Sequence, residues 1–284
     1  MFAVAGVNGN TGKVVAETLL AQSVPVRVIV RDARKGEAWK AKGAEVAVAD
    51  LHDVPALTLA LRGTSGAYLL NPPDMSVTDL EKWGRESGAA FKAAILESGV
   101  PHVVFLSSIG AHVASGTGPI MASRQIEAAL SGLKTHVTFL RAGYFMENTL
   151  ANLHPMKEQG VLPAMFDAQR KFEMVATADI GALAAELLRA GVSAPKVVEL
   201  AGPAGRTLTD VAKVFGEVLK KPIALAPVPA AAQVEVLTSV GLPPMWAKAY
   251  AEMNAAVESS RLVFEGTPRR GLITLEQFVA RALS

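Results

Sequence analysis

Short apolar runs, many of them β-branched, punctuate the chain at Phe2–Ala5, Val26–Val30, Val46–Ala49, Ala67–Leu70, Val103–Leu106 and Val137–Leu140. Between them lie segments with helical periodicity: Gly12–Ala21, Lys35–Lys42, Val54–Leu61, Thr78–Ser98 and Ala122–Leu130. Short apolar strands that alternate with helices predict βαβ units and a parallel sheet covered on both faces. The regular alternation stops near Asn148. Beyond it helices are longer, strands are sparser, Pro243 and Pro244 interrupt the chain, and a closing helix is expected over Leu275–Leu283. The pattern divides the chain into residues 1–150, which form the main sheet, and residues 151–284, a smaller lobe of which parts return to that sheet.

The turn after the first predicted strand is the first place where the residues specify chemistry. "GVNGNTG" puts Gly6, Gly9 and Gly12 three apart. Gly6 ends the strand where the chain must turn sharply, Gly9 leaves room for a close backbone approach, and Gly12 lets the helix pack on the sheet. The free N–H groups of Asn8, Asn10 and Thr11 and the positive end of the helix then face a pyrophosphate. The Gly-x-x-Gly-x-x-Gly spacing differs from the commonest dinucleotide fingerprint, but the strand before it and the helix after it supply the required context.

Which dinucleotide binds is read at the end of the second strand, "VIVRDARKG". Arg31, with Arg34 and Lys35 beyond it, suits a ribose 2′-phosphate, whereas Asp32 one residue on would suit a free 2′-hydroxyl. The charges favour NADP(H) over NAD(H). Asp50, followed by Leu51 at the end of the third strand, either meets the adenine edge or caps the helix that starts near Val54. Leu70, Asn71 and Pro72 follow the fourth strand, at the carboxyl edge where open α/β sheets bind ligands.

Composition removes several alternatives. Half of the 284 residues are hydrophobic, the net charge is +2, and Lys and Arg are scattered, so no nucleic-acid-binding stripe is expected. Cysteine is absent, which excludes disulfides and thiolate chemistry, and the five histidines show no ligand spacing, so no metal is expected. The apolar N-terminus has no basic leader and reads as a strand. No apolar stretch is long enough to insert into a membrane. A cytoplasmic protein is the expectation, with a homodimer left open.

"GVNGNTG", "VRVIVRD", "VVFLSSIGA", "ASRQIEAAL" and "FLRAGYFMENTL", extended by "VATADIGALAAELL", together resemble the NmrA-like branch of the atypical short-chain dehydrogenase/reductases. Within that branch the chain is most similar to the type-2 NAD(P)H:quinone oxidoreductases. The resemblance implies a Rossmann-type doubly wound sheet of strand order 3-2-1-4-5-6, a small C-terminal α/β lobe and a substrate cleft between them. It also implies a serine at the end of the fifth strand, where Ser107 and Ser108 stand, and a Tyr-x-x-x-Lys pair downstream. Here Arg124 occupies the lysine-like position and Ile120 the tyrosine position. The usual proton donor of carbonyl reduction is therefore missing. Tyr68 lies inside a strand, Tyr144 in the cleft loop and Tyr250 in the distal lobe.

By the same resemblance Arg124 sits near the nicotinamide ribose, Gly143, Tyr144 and Phe145 form the nicotinamide-side loop, and Asn148 faces the cleft. Arg124, Tyr144 and Asn148 are the candidate catalytic residues. Arg124 is alternatively a solvated helix residue paired with Glu127, and Tyr144 and Phe145 alternatively core aromatics. His112 lies in the loop after Ser108, within reach of a substrate. The implied activity is hydride transfer from NADPH to a quinone-like acceptor, without flavin or metal. NmrA-like proteins also include non-catalytic redox sensors, the second reading for this chain.

Overall fold

A computed structural model describes residues 1–284. The first half folds as β1 (Phe2–Ala5), α1 (Asn10–Ala21), β2 (Val26–Val30), α2 (Glu37–Ala41), β3 (Glu45–Val48), α3 (Val54–Leu61), β4 (Gly66–Leu69), α4 (Leu80–Ser98), β5 (His102–Ser108), α5 (Ile120–Leu130) and β6 (His136–Ala142). The second half adds β7 (Tyr144–Phe145), α6 (Leu153–Glu158), β8 (Val161–Ala164), β9 (Met174–Val175), α7 (Thr177–Ala190) and β10 (Val197–Ala201). It closes with α8 (Leu208–Leu219), β11 (Ala224–Pro227), α9 (Gln233–Ser239), α10 (Pro244–Glu258), β12 (Arg269–Arg270) and α11 (Leu275–Leu283).

The main sheet has eight strands in the order β3-β2-β1-β4-β5-β6-β10-β12, every neighbouring pair parallel. The 3-2-1-4-5-6 order is thus present, extended by two strands that the hydrophobic pattern does not reveal. β10 starts from an exposed Val197 and carries Glu199 in its centre, so its apolar run is broken. β12 is two arginines and has no apolar signal at all.

Burial on both faces explains why the central strands read as continuous apolar runs: all four residues of β4 are buried. One face packs Val15 and Leu19 of α1 with Ile180, Leu183 and Leu187 of α7 and Trp39 of α2. The other packs Leu57 and Leu61 of α3, Phe91 and Ile95 of α4, and Ile126 and Leu130 of α5. Each such side chain contributes about 1.5–3 kcal/mol of transfer free energy. A third core holds Met146, Met156, Leu162, Met174, Val211, Phe215, Leu275 and Phe278, where the paired strands β8 and β11 meet α8 and α11.

Helix starts are set by local hydrogen bonds. Asp53 accepts from the Ala56 N–H and caps α3, and Asp79 accepts from the Lys82 N–H and caps α4. Cap duty for α3 therefore falls to Asp53 and not to Asp50. Asp79 also places the start of α4 at Leu80, later than the sequence pattern suggests, and α5 begins earlier, at Ile120. No helix is long and apolar enough to cross a membrane.

Candidate active site

The strand order reverses between β1 and β4, and the glycine turn sits at that reversal. Gly6 has a positive φ of 66° and accepts a 2.9 Å hydrogen bond from the Gly9 N–H. A side chain on Gly6 would approach Leu70 to 2.7 Å, so the turn closes directly on the end of β4. A Cβ on Gly12 would overlap the Ala5 and Gly6 carbonyl oxygens, which shows how tightly α1 is pressed to its strand. Gly9 is different. It caps α1 without a side chain, in extended backbone, and is exposed beside Asn10. The first N–H groups of α1 thus lack a side-chain acceptor.

Two polar side chains of the turn already have protein partners. The Asn8 amide donates to the Lys35 carbonyl at 3.2 Å and accepts from the Trp39 indole N–H at 3.1 Å. Its side chain ties the glycine turn to the segment after β2. Thr11 is buried and accepts from the Tyr68 hydroxyl at 2.9 Å, and burial pushes that phenol well above the usual tyrosine range. Asn8 and Thr11 shape the turn through these bonds, which leaves main-chain groups and the exposed Asn10 to meet a ligand there.

The segment after β2 separates Arg31 from Asp32. Asp32 accepts from the Arg34 backbone N–H at 3.0 Å and from its guanidinium at 2.7 Å, and these bonds hold its carboxyl below the usual range. Its carboxylate and the Arg34 side chain are engaged with each other. Arg31 is exposed beside them. Asp50 is exposed and accepts from the His52 N–H at 2.8 Å, whereas Leu51 is buried in the core of the α3–α4 face. At the end of β4 both polar atoms of the Asn71 amide are buried and have no protein partner. An orphaned amide costs roughly 1–3 kcal/mol unless a ligand or water meets it. Asn71 lies one residue from Leu70, which touches the glycine turn. Together with the open N-terminus of α1 and the exposed Arg31, it fits the residues to a phosphate-bearing dinucleotide. Pro72 is exposed on the rim of the same edge.

Beyond β5 and β6 a cavity of about 240 Å³ opens. Its aromatic walls are Tyr144, Phe145, Phe166, Phe172 and Tyr250, and Phe172 stands edge-on to both Tyr144 and Phe166 at 5.6 and 5.3 Å between ring centres. Ser108, Gly143 and Asn148 line it, and so does Ile120. Burial, together with nearby Tyr250, raises the Tyr144 phenol above its usual range. Tyr144 therefore stays neutral near pH 7, fit to donate a hydrogen bond. Gly143 has no room for a side chain, because a Cβ would lie 2.7 Å from the Glu173 carbonyl.

Several sequence assignments change here. The strand pleat points Ser107 away from the cavity into the protein, where its hydroxyl donates to Glu127 at 2.5 Å. Ser108 is the serine that lines the cavity. Arg124 does not pair with Glu127, which binds Arg141 at 2.7 Å inside the protein. Arg124 instead donates to the His112 carbonyl at 2.9 Å and holds the loop between β5 and α5. His112 turns its Nδ1 toward Glu265, at 3.8 Å, and is not part of the lining. Tyr250, read as distal, comes into the cavity on α10 with Met253 and Asn254. Nothing local in its sequence signals this, because long-range packing of α10 makes the contact. No group of three or more His, Asp or Glu side chains is placed to hold a metal ion.

The model of the NmrA-like family matches residues 1–268. The chain belongs to this family. Among NmrA-like relatives, quinone oxidoreductase 2 of Escherichia coli (strain K12) is 32% identical over 252 residues, which cover 86% of this chain and 83% of the relative. NAD(P)H azoreductase of Xenophilus azovorans is 26% identical over 259 residues, covering 90% and 86%. A crystal structure of the Escherichia coli NADPH-dependent quinone oxidoreductase complexed with NADPH superposes with a TM-score of 0.84, at 27% identity and with both chains fully covered. This NmrA-like chain therefore carries the Rossmann-type fold of that quinone oxidoreductase.

Proposed function

We propose that this chain, an NAD(P)H-dependent reductase like its relatives, passes a hydride from NADPH directly to a quinone-like ring, without flavin or metal. The observation that carries the reading is the cavity itself: five aromatic walls and an isoleucine, Ile120, at the position of the usual proton donor. Bound NADPH supplies the hydride. The chain's own residues bind, orient and exclude water. In this reading residues 1–150 hold the cofactor, and residues 151–284 supply most of the wall facing it.

The open N–H groups of α1 receive the pyrophosphate, and Asn71 satisfies its amide on the cofactor. Arg124, a guanidinium with five donors and no acceptor, holds its loop and the ribose end in place and moves no proton. Flat acceptors stack on Tyr144, Phe145 and Phe172. An unactivated ketone becomes a localised alkoxide and needs a proton in the transition state, which general acids accelerate by about 10²–10⁴-fold. A quinone spreads the same charge over its ring and tolerates a donor that only hydrogen-bonds. Purified protein given NADPH should reduce benzoquinones and naphthoquinones and leave unactivated ketones almost untouched, followed by the loss of reduced-nicotinamide absorbance. NADPH binding with no turnover across such a panel would replace this reading with that of a redox sensor.

Preference for NADPH rests on Arg31. A charge-assisted hydrogen bond to phosphate contributes about 1.5–3 kcal/mol, roughly ten- to a hundredfold in affinity. Arg31→Ala should weaken NADPH by that factor and leave NADH nearly unchanged. Equal weakening of both cofactors in calorimetric titrations would remove Arg31 from the 2′-phosphate.

A further inference from the structure

We propose that Tyr250 is the hydrogen-bond donor of this active site, reaching the acceptor's oxygen from α10 in place of the hydroxyl that Ile120 cannot provide. The inference rests on the quinone-reductase reading and adds a catalytic residue that no motif marks.

Three observations place Tyr250. Ile120 and Tyr250 line the same cavity. Their approach is fixed by the backbone. Gly118, two residues before Ile120, has a positive φ of 57°, and a Cβ there would overlap the carbonyl oxygen of Ala249, the residue before Tyr250. The loop entering α5 and the middle of α10 are thus in direct backbone contact at the site where the donor is missing. Finally, α10 is anchored one turn before Tyr250. Trp246 donates its indole N–H to the Asp74 carbonyl at 3.1 Å, stands edge-on to Trp83 at 6.4 Å and packs on the Tyr250 ring at 6.1 Å. The loop that follows Asn71 at the cofactor edge therefore also sets the donor's helix.

The environment suits a donor more than an acid that gives its proton away. Burial pushes the Tyr250 phenol up, so it stays protonated and neutral. A neutral hydroxyl aimed at an oxygen that gains negative charge stabilises the transition state more than the ground state. The hydride and its electron pair arrive from NADPH, the Tyr250 O–H bond stays intact, and the hydroquinone anion takes its proton from water on leaving. Tyr144, with its ring edge-on to Phe172, serves as part of the stacking wall.

The test uses Tyr250→Phe, which keeps the ring and its packing on Trp246, with a series of substituted benzoquinones whose hydroquinone anions differ in basicity. The expected result is unchanged NADPH affinity, a KM within about twofold, and a kcat lower by about ten- to a hundredfold. The loss should grow with the basicity of the product anion, a dependence that a packing role would not produce. If Tyr250→Phe disturbs folding, tyrosine difluorinated on the ring at position 250, a stronger donor of the same shape, should raise kcat for the most basic acceptors above that of the parent. Parent-like kcat in Tyr250→Phe, a loss confined to KM, or a loss independent of acceptor basicity would overturn the assignment. These outcomes are separable from failure of the reductase reading, in which the parent itself would reduce no quinone.

Discussion

Gly9→Val should bind NADPH at least about a hundredfold more weakly while melting close to the parent temperature, whereas Gly12→Val should be strongly destabilised or fail to fold. The difference follows from where each missing side chain would point. At Gly9 a Cβ meets only the Gly6 carbonyl oxygen, at 3.3 Å, and the chain can give by a few tenths of an ångström. The rest of a valine would stand over the N-terminus of α1, where we propose that the pyrophosphate binds. Losing two charge-assisted hydrogen bonds of about 1.5–3 kcal/mol each gives a factor of a hundred or more. At Gly12 the same Cβ would be driven into the Ala5 and Gly6 carbonyl oxygens, backbone atoms at the end of the buried strand β1 that no side-chain rotation can clear. Overpacking against backbone costs about 3 kcal/mol or more. Thermal melting followed by circular dichroism, with NADPH titration of the folded variant, measures both outcomes. Parent-like affinity in Gly9→Val would move the pyrophosphate elsewhere.

A similarly large effect is expected from Glu127→Ala. Glu127 on α5 receives the Ser107 hydroxyl at 2.5 Å and two guanidinium nitrogens of Arg141 at 3.0 and 2.7 Å, and all three residues are buried. Pairing with Glu127 raises Arg141 still further above the ordinary arginine range. Removing the carboxylate leaves a buried charge with only Glu265 near it, and Glu265 is half exposed. Breaking one partner of a buried pair costs about 3–5 kcal/mol, whereas replacing both by apolar residues of similar volume is often close to neutral. Urea unfolding should therefore show Glu127→Ala losing that much and a Glu127→Leu, Arg141→Met double variant losing much less. Equal losses in the two would mean that the pair acts through packing and not through charge.

Features visible in the sequence are those whose cause is local. The apolar runs from β1 to β6 are continuous because parallel strands are buried on both faces, so a parallel sheet follows from them, whereas its 3-2-1-4-5-6 order follows from the family resemblance. The glycine spacing is legible because Gly9 and Gly12 answer to backbone only a few residues away, whereas the closure of Gly6 on Leu70 is not local. Other features depend on distant parts of the chain. The register of β5 decides that Ser107 turns to Glu127 and Ser108 to the cavity, and adjacent serines look alike in sequence. β12 pairs with β10 although it offers only two arginines, one bound to Glu186 and the other to Glu173. Tyr250 enters the cavity because α10 packs against Gly118 and Asp74, neither of which is near it in sequence.

The segment from Ser260 to Arg270 runs from α10 back to the sheet and brings Leu262 and Val263 to the cavity. It is fastened by Glu199, which accepts from the N–H groups of Glu265 and Gly266 at 2.8 Å, and by Arg141, which grips the Glu265 side chain. These contacts join residues separated by 66 and 124 positions. Pairings of such separation are slow to find, because the loop-closure entropy must be lost before the contacts offset it. During synthesis the glycine turn and β1 to β6 emerge before the residues that complete the cavity wall. A chain folded only as far as β6 would therefore have the glycine turn but lack the part of the cavity wall that Tyr250, Leu262 and Val263 supply.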